Sequence, residues 1–299
     1  MTVLVVGSVA FDTVTTPFGH KEKILGGSAT YFAYSCSFFA PVNLVAVVGE
    51  DFPPSYRELL EKREINLEGL QVRPGETFHW GGSYKYDMNE AETEFTDLNV
   101  FEDFHPDLPP SYRSSEYILL ANIDPHLQLE VLEQIENPRL VVGDTMNLWI
   151  ELKKETVQEV IRKLQILIIN DAEARQLTGE VSLKKAAARI LKLGPEYVVV
   201  KKGEHGALFF SRRETFSAPG LPLETVVDPT GAGDTFAGGF VGYLAKMGEI
   251  SPSALRQAVI YGSVMASFNV EDFSLDRLKN LQWDDIIRRY QEFKSLTLF

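Results

Sequence analysis

The sequence predicts an α/β protein: a mostly parallel central sheet with helices on both faces and a small β lid. Three observations predict it. Short β-branched runs recur along the chain, a longer helical pattern follows most of them, and two stretches break the alternation with Thr, aromatic and charged residues. Near-continuous apolar runs suit parallel strands buried on both faces. Their alternation with helices means crossover units folded back over one sheet.

The strands are expected at 2–7 (TVLVVG), 43–48 (NLVAVV), 116–121 (EYILLA), 139–143 (RLVVG), 165–169 (QILII) and 196–200 (EYVVV), with a further one at 207–210. Helices are expected at about 28–39, 54–65, 126–136, 151–163, 172–178, 182–193, 234–246, 253–268 and 283–295. Residues 13–24 and 77–100, which include Phe78-His79-Trp80-Gly81-Gly82, read as antiparallel lid strands. No repeat, low-complexity tract or long linker divides the chain, so residues 1–299 are expected to form a single unit with its lid. Ligands of such folds gather at the carboxyl ends of the strands.

Composition narrows the function. With 29 Lys+Arg against 42 Asp+Glu the net charge is −13, which argues against nucleic acid as a partner. No apolar run approaches the roughly 18 residues of a membrane span, so no membrane partner is expected. The amino end lacks a secretory pattern, and the lone Cys36 suits a reducing compartment, so a cytoplasmic location is expected. Cys36 lies in an aromatic-rich helical pattern and reads as a core thiol. The five histidines are scattered, without the spacing of a zinc site.

The stretch Asp228-Pro229-Thr230-Gly231-Ala232-Gly233-Asp234-Thr235-Phe236 carries the chemistry. Gly231, Ala232 and Gly233 would set backbone N–H groups at the amino end of a helix, where the macrodipole favours an anion. Asp234 in the first turn could take the proton of an attacking hydroxyl. A tight turn with a first-turn acid that merely favours the dipole would look the same.

The whole string resembles the C-terminal signature of the ribokinase-like (phosphofructokinase-B type) kinase family. Gly26-Gly27-Ser28-Ala29 resembles that family's N-terminal glycine pair, and Gly7 to Asp12 its opening strand and substrate-binding aspartate. Asn170-Asp171-Ala172-Glu173 resembles its Asn-x-x-Glu motif. The resemblance implies a ribokinase-like fold and a cytoplasmic, ATP- and Mg²⁺-dependent carbohydrate kinase. Such an enzyme transfers the γ-phosphoryl group to an alcohol, a primary hydroxyl of a sugar or sugar-like molecule. A nucleoside kinase of the same fold is the alternative, and a non-catalytic sugar or nucleotide sensor stands behind both. The Gly-x-Gly-x-x-Gly of a nicotinamide oxidoreductase is missing from the loop after the first strand.

By the same resemblance Asp234 is the base and residues 231–233 form the anion hole. Asp12, Gly26, Gly27 and Tyr31 face the acceptor, Tyr31 standing where many relatives carry Asn. Asn170, Lys201, Gly203, Gly206, Thr230 and Asn269 face the nucleotide. Glu173 and Asn170 organise Mg²⁺, partly through water, and Asp228 adjoins a monovalent cation such as K⁺. Asn170 and Glu173 equally suit a helix capping box, Lys201 a solvated loop, and Asp12 a turn cap. Tyr31, Phe78, Trp80 and Trp149 offer aromatic surface to an acceptor or to the core. Asp144-Thr145-Met146-Asn147 stands where relatives carry Asp-x-Asn-x-Arg, without the Arg. Lids of this family pair, which implies a homodimer through the lid.

Overall fold

The computed structural model describes residues 1–298. The chain starts with β1 (Val3–Val6), sends out β2 (Ala10–Thr16) and β3 (Gly19–Gly26), and returns through α1 (Ser28–Cys36) to β4 (Val42–Gly49). It continues with α2 (Pro54–Glu61), β5 (Ile65–Arg73), β6 (His79–Tyr84), β7 (Ala91–Asp97), β8 (Tyr117–Leu120), α3 (Pro125–Gln134) and β9 (Leu140–Gly143). Then come α4 (Asn147–Leu152), α5 (Lys154–Lys163), β10 (Ile166–Asn170), α6 (Asp171–Thr178), α7 (Leu183–Leu193) and β11 (Tyr197–Lys201). The last part holds β12 (Ala207–Ser211), β13 (Thr215–Ala218), α8 (Ala232–Met247), α9 (Pro252–Asn269), α10 (Asp276–Lys279) and α11 (Trp283–Leu296).

Nine strands form the main sheet in the order β13-β12-β11-β10-β9-β8-β1-β4-β5, all pairings parallel except those β12 makes with β11 and β13. Alternation along a strand sends successive side chains to opposite faces. Val3 and Val5 therefore join the core layer that holds α1, α8 and α9, while Leu4 and Val6 join the layer with α5 and α7. All four are fully buried, which is why the strand reads as an unbroken apolar run.

The expected strands all form. The structure adds β5, an edge strand whose burial alternates from Ile65 to Gly69. It cuts short the helix expected to 65, which stops at Glu61. The short β13 was not expected, and the helix expected at 151–163 is two, α4 and α5, meeting at Lys153. The lid is a separate four-stranded sheet in the order β3-β2-β6-β7. Its strands are not all antiparallel: β2 and β6 run parallel, because the chain crosses the main sheet between them. Among the described residues no helix is long and apolar enough to cross a membrane.

Candidate active site

The carboxyl ends of β1, β9, β10 and β11 open beneath the lid, and the amino end of α8 faces them. The acceptor-side residues are packed against bare backbone. A Cβ on Gly26 would lie 2.0 Å from Asp12 Oδ2, so the carboxylate occupies the space that a side chain would take. Gly27, with φ of 95°, caps α1 and turns the chain so that the Tyr31 phenol donates to Asp12 Oδ2 at 3.4 Å. Asp12 sits within β2 rather than in a turn. It is 4% exposed. Burial foremost, then the Asp228 charge, raises its pKa from 3.8 to about 8, with the Tyr31 bond and the Gly27 amide opposing.

The glycine-rich loop is braced from below. Thr230 N–H donates to Asp228 Oδ1 at 2.9 Å and Ser274 N–H to Oδ2 at 3.4 Å. The Asn269 amide donates to the Thr230 carbonyl at 2.8 Å and accepts the Thr235 hydroxyl at 3.0 Å. Gly231, with φ of 72°, then turns the chain into α8 directly under the Tyr31 ring, which would lie 2.3 Å from a Cβ there. One ring thus touches Asp12 at its hydroxyl and the phosphate-type loop at its face.

Two expectations change here. Asn269 is 1% exposed with its side chain committed inside the protein, so it braces the loop rather than walling an adenine pocket. The Ala232 amide donates to the Pro229 carbonyl at 3.1 Å. Of the three amides expected to face an anion, that of Ala232 is therefore already committed within the turn.

Beside this loop lies a cluster of charge. Lys201, the last residue of β11, reaches across the end of β10 to Asp144 Oδ2 at 3.1 Å, with side-chain exposures of 18% and 7%. Glu173 and Asp234 adjoin both. Burial, then Asp144, raises Glu173 from 4.5 to about 7, and the same two causes raise Asp234 from 3.8 to about 7, Lys201 opposing in each case. Burial pulls the Lys201 ammonium down, but Asp144, Glu173 and Asp234 outweigh it and the net shift is upward. A carboxylate poised near neutrality in the first turn of a helix can hold or release a proton at working pH.

Asn170 and Glu173 do form the reciprocal capping box of α6, at 2.7 and 2.9 Å. That uses one Glu173 oxygen, and Asp144 and Lys201 are the charges that act most strongly on the carboxylate. Among the described residues no three His, Cys, Asp or Glu side chains converge to hold a metal ion.

The lid closes on this face. The Thr230 hydroxyl donates to Tyr84 Oη at 3.3 Å, and Asn89 at the lid tip sits against Gly203. Of the other aromatics, Phe78 stacks on Phe101, Trp80 bonds Thr93 within the lid, and Trp149 bonds Asn122; each is held in local packing. Cys36 is fully buried and burial pushes its thiol upward. A concavity of about 520 Å³ between Gln71, Arg73, His105 and Gln134 lies along the β5 edge and holds none of these groups.

The structure thus gathers Asp12, Tyr31, Gly231, Gly233, Asp234, Lys201 and Glu173. Sequence reasoning set Asp144 against the Asp-x-Asn-x-Arg stretch of relatives without giving it a role, and it missed Tyr84. The signal for Asp144 was its place directly after an apolar strand, where this fold class keeps its ligands.

Comparison with known proteins agrees. The profile described as pfkB family carbohydrate kinase matches residues 10–279. A cytidine kinase of Thermococcus kodakarensis is 31% identical over 80% of this chain and 87% of its own length. A nucleoside kinase of Methanocaldococcus jannaschii is 25% identical over 91% of this chain and 87% of its own. In fold, an E. coli protein described as a ribokinase II in complex with ATP and Mg²⁺ superposes with a TM-score of 0.82 at 16% identity, covering 97% and 99% of the two chains.

Proposed function

The chain belongs to the pfkB family of carbohydrate kinases, phosphotransferases with an alcohol acceptor, and we propose that it moves the γ-phosphoryl group of ATP to the primary hydroxyl of a nucleoside. The observation that carries this reading is the Tyr31 side chain, which joins Asp12 to Gly231 and so ties an acceptor carboxylate to an anion loop. The cytidine and nucleoside kinases, matched over most of their length, favour a nucleoside over a free sugar.

In this reading Asp12 and Tyr31 hold the acceptor's hydroxyls, and Asp234 takes the proton of the hydroxyl that attacks. The oxygen–phosphorus bond forms as the bond to ADP breaks. The Gly231 and Gly233 amides, the amino end of α8 and Lys201 neutralise charge gathering on the transferring group. Mg²⁺, met by Glu173 and Asn170 through water, would screen the phosphates. Gly203 and Gly206 border the nucleotide, and the lid, drawn down by Tyr84, excludes water. A monovalent cation near Asp228 and a homodimer through the exposed lid edges belong to the same reading.

The test is ADP release from Mg-ATP with single acceptors (cytidine, other nucleosides, ribose, hexoses), for wild type and Asp234→Ala side by side. A nucleoside-dependent signal lost in the variant is expected. A signal with free sugars alone would overturn the nucleoside assignment, and silence with every acceptor would overturn the kinase reading.

A further inference from the structure

We propose that Asp144 is a positioning residue for phosphoryl transfer: it holds the Lys201 ammonium beside Gly233 in the first turn of α8, on the path of the transferred group. This rests on the kinase reading above and adds to it a residue from the stretch where the family's usual Arg is missing.

The position of Lys201 needs a cause. Its Nζ would lie 2.8 Å from a Cβ on Gly233, so the ammonium rests on the first turn of α8. That is the positive end of the helix dipole, a place that repels a cation. A lysine side chain is also long and loses considerable rotamer freedom when fixed. Some anion must hold it there before phosphate arrives, and three carboxylates are near. Asp144 is the one that makes the ion pair, at 3.1 Å.

Asp144 is itself held rigidly. Its backbone N–H donates to the Leu120 carbonyl at 2.9 Å, and its other carboxylate oxygen accepts the Thr145 N–H at 2.9 Å. The buried Gln128 amide from α3 donates to the carbonyls of Ala121 and Asp144 at 2.9 and 3.0 Å. The pair therefore transmits the place of a fixed strand end to a flexible cation. Glu173 is engaged in the cap of α6, and Asp234 is the proposed base. If Asp144 let go, Lys201 would move toward Asp234 and tie up the base.

The test is a double-mutant cycle of Asp144→Asn and Lys201→Met, reading kcat, acceptor KM and the dissociation constant of an ATP analogue. Asp144→Asn is expected to cut kcat roughly tenfold to a hundredfold, with KM and analogue affinity changed less than about threefold. Since Asp144 acts through Lys201, the double variant should match Lys201→Met alone in kcat. Asp144→Glu should recover part of the loss. Multiplying losses in the double variant, or a fall in analogue affinity alone, would overturn the proposal. Should Asp144→Asn fail to fold in a thermal melt, Asp144→Glu decides: partial activity supports the pairing, and activity no better than that of Lys201→Met refutes it. Wild type run alongside separates the two ideas, since a wild type that neither binds the analogue nor turns over defeats the kinase reading itself.

Discussion

Gly231→Ala puts the link between the anion loop and the acceptor side under direct strain. Gly231 lies in the left-handed region at φ 72°, where an alanine costs about 1 kcal/mol or slightly more. The added methyl would also stand 2.3, 2.4 and 2.5 Å from three ring carbons of Tyr31. Ordinary contact begins near 3.4 Å, so the ring would have to retreat by roughly 1 Å. It has little room, being 1% exposed on a helix whose nine residues are all buried. Overpacking of this kind costs about 1–3 kcal/mol, for a total of about 2–4 kcal/mol. Urea unfolding should show that loss, and kcat should fall with it because the amide of residue 231 leaves its place. In a Tyr31→Ala background the clash vanishes and the backbone strain stays, so the two changes should combine to about 1–3 kcal/mol less than their sum. A Gly231→Ala protein within about 0.5 kcal/mol of wild type, or strict additivity with Tyr31→Ala, would refute the packing argument.

Two further outcomes follow from the same geometry. Asp12 has its pKa raised from 3.8 to about 8 in the fold, so its burial is harmless below pH 4 and becomes increasingly costly up to pH 8. Asp12→Asn should therefore stabilise the protein more at pH 9 than at pH 5, by at most about 4 kcal/mol. An equal effect on urea unfolding at both pH values would contradict this. Asn269→Ala strands the Thr230 carbonyl and the Thr235 hydroxyl, at about 1–3 kcal/mol each, and should lower stability and kcat together. If it instead weakened ATP-analogue binding with stability unchanged, Asn269 would be lining the nucleotide pocket after all.

The parallel strands were readable because burial on both faces removes polar residues, leaving runs such as Val3-Leu4-Val5-Val6. The edge strand β5 was not. It is buried on alternate residues and carries Asn66, Glu68 and Gly69, a pattern that adjoins a helix and blurs into it. The glycine loops were readable because their function is local: Gly26-Gly27 and Gly231-Ala232-Gly233 must be contiguous to turn the chain and admit a neighbour. The Asp144–Lys201 pair was not, since its partners lie 57 residues apart and meet only because β9 and β11 flank β10. Tyr84 reaches Thr230 through the lid's closure, which no spacing encodes. The Asn-x-x-Glu string was readable as both cap and ligand, and its capping half is built as expected.

The most direct test of the account is Asp234→Asn. The substitution keeps size and hydrogen-bonding shape while removing the group that takes the proton, so turnover with the best acceptor should fall at least a hundredfold. Affinity for an ATP analogue, measured by calorimetry on the same preparation, should stay within about threefold of wild type. A variant that keeps more than about a tenth of wild-type turnover would contradict the assignment of Asp234 as the base.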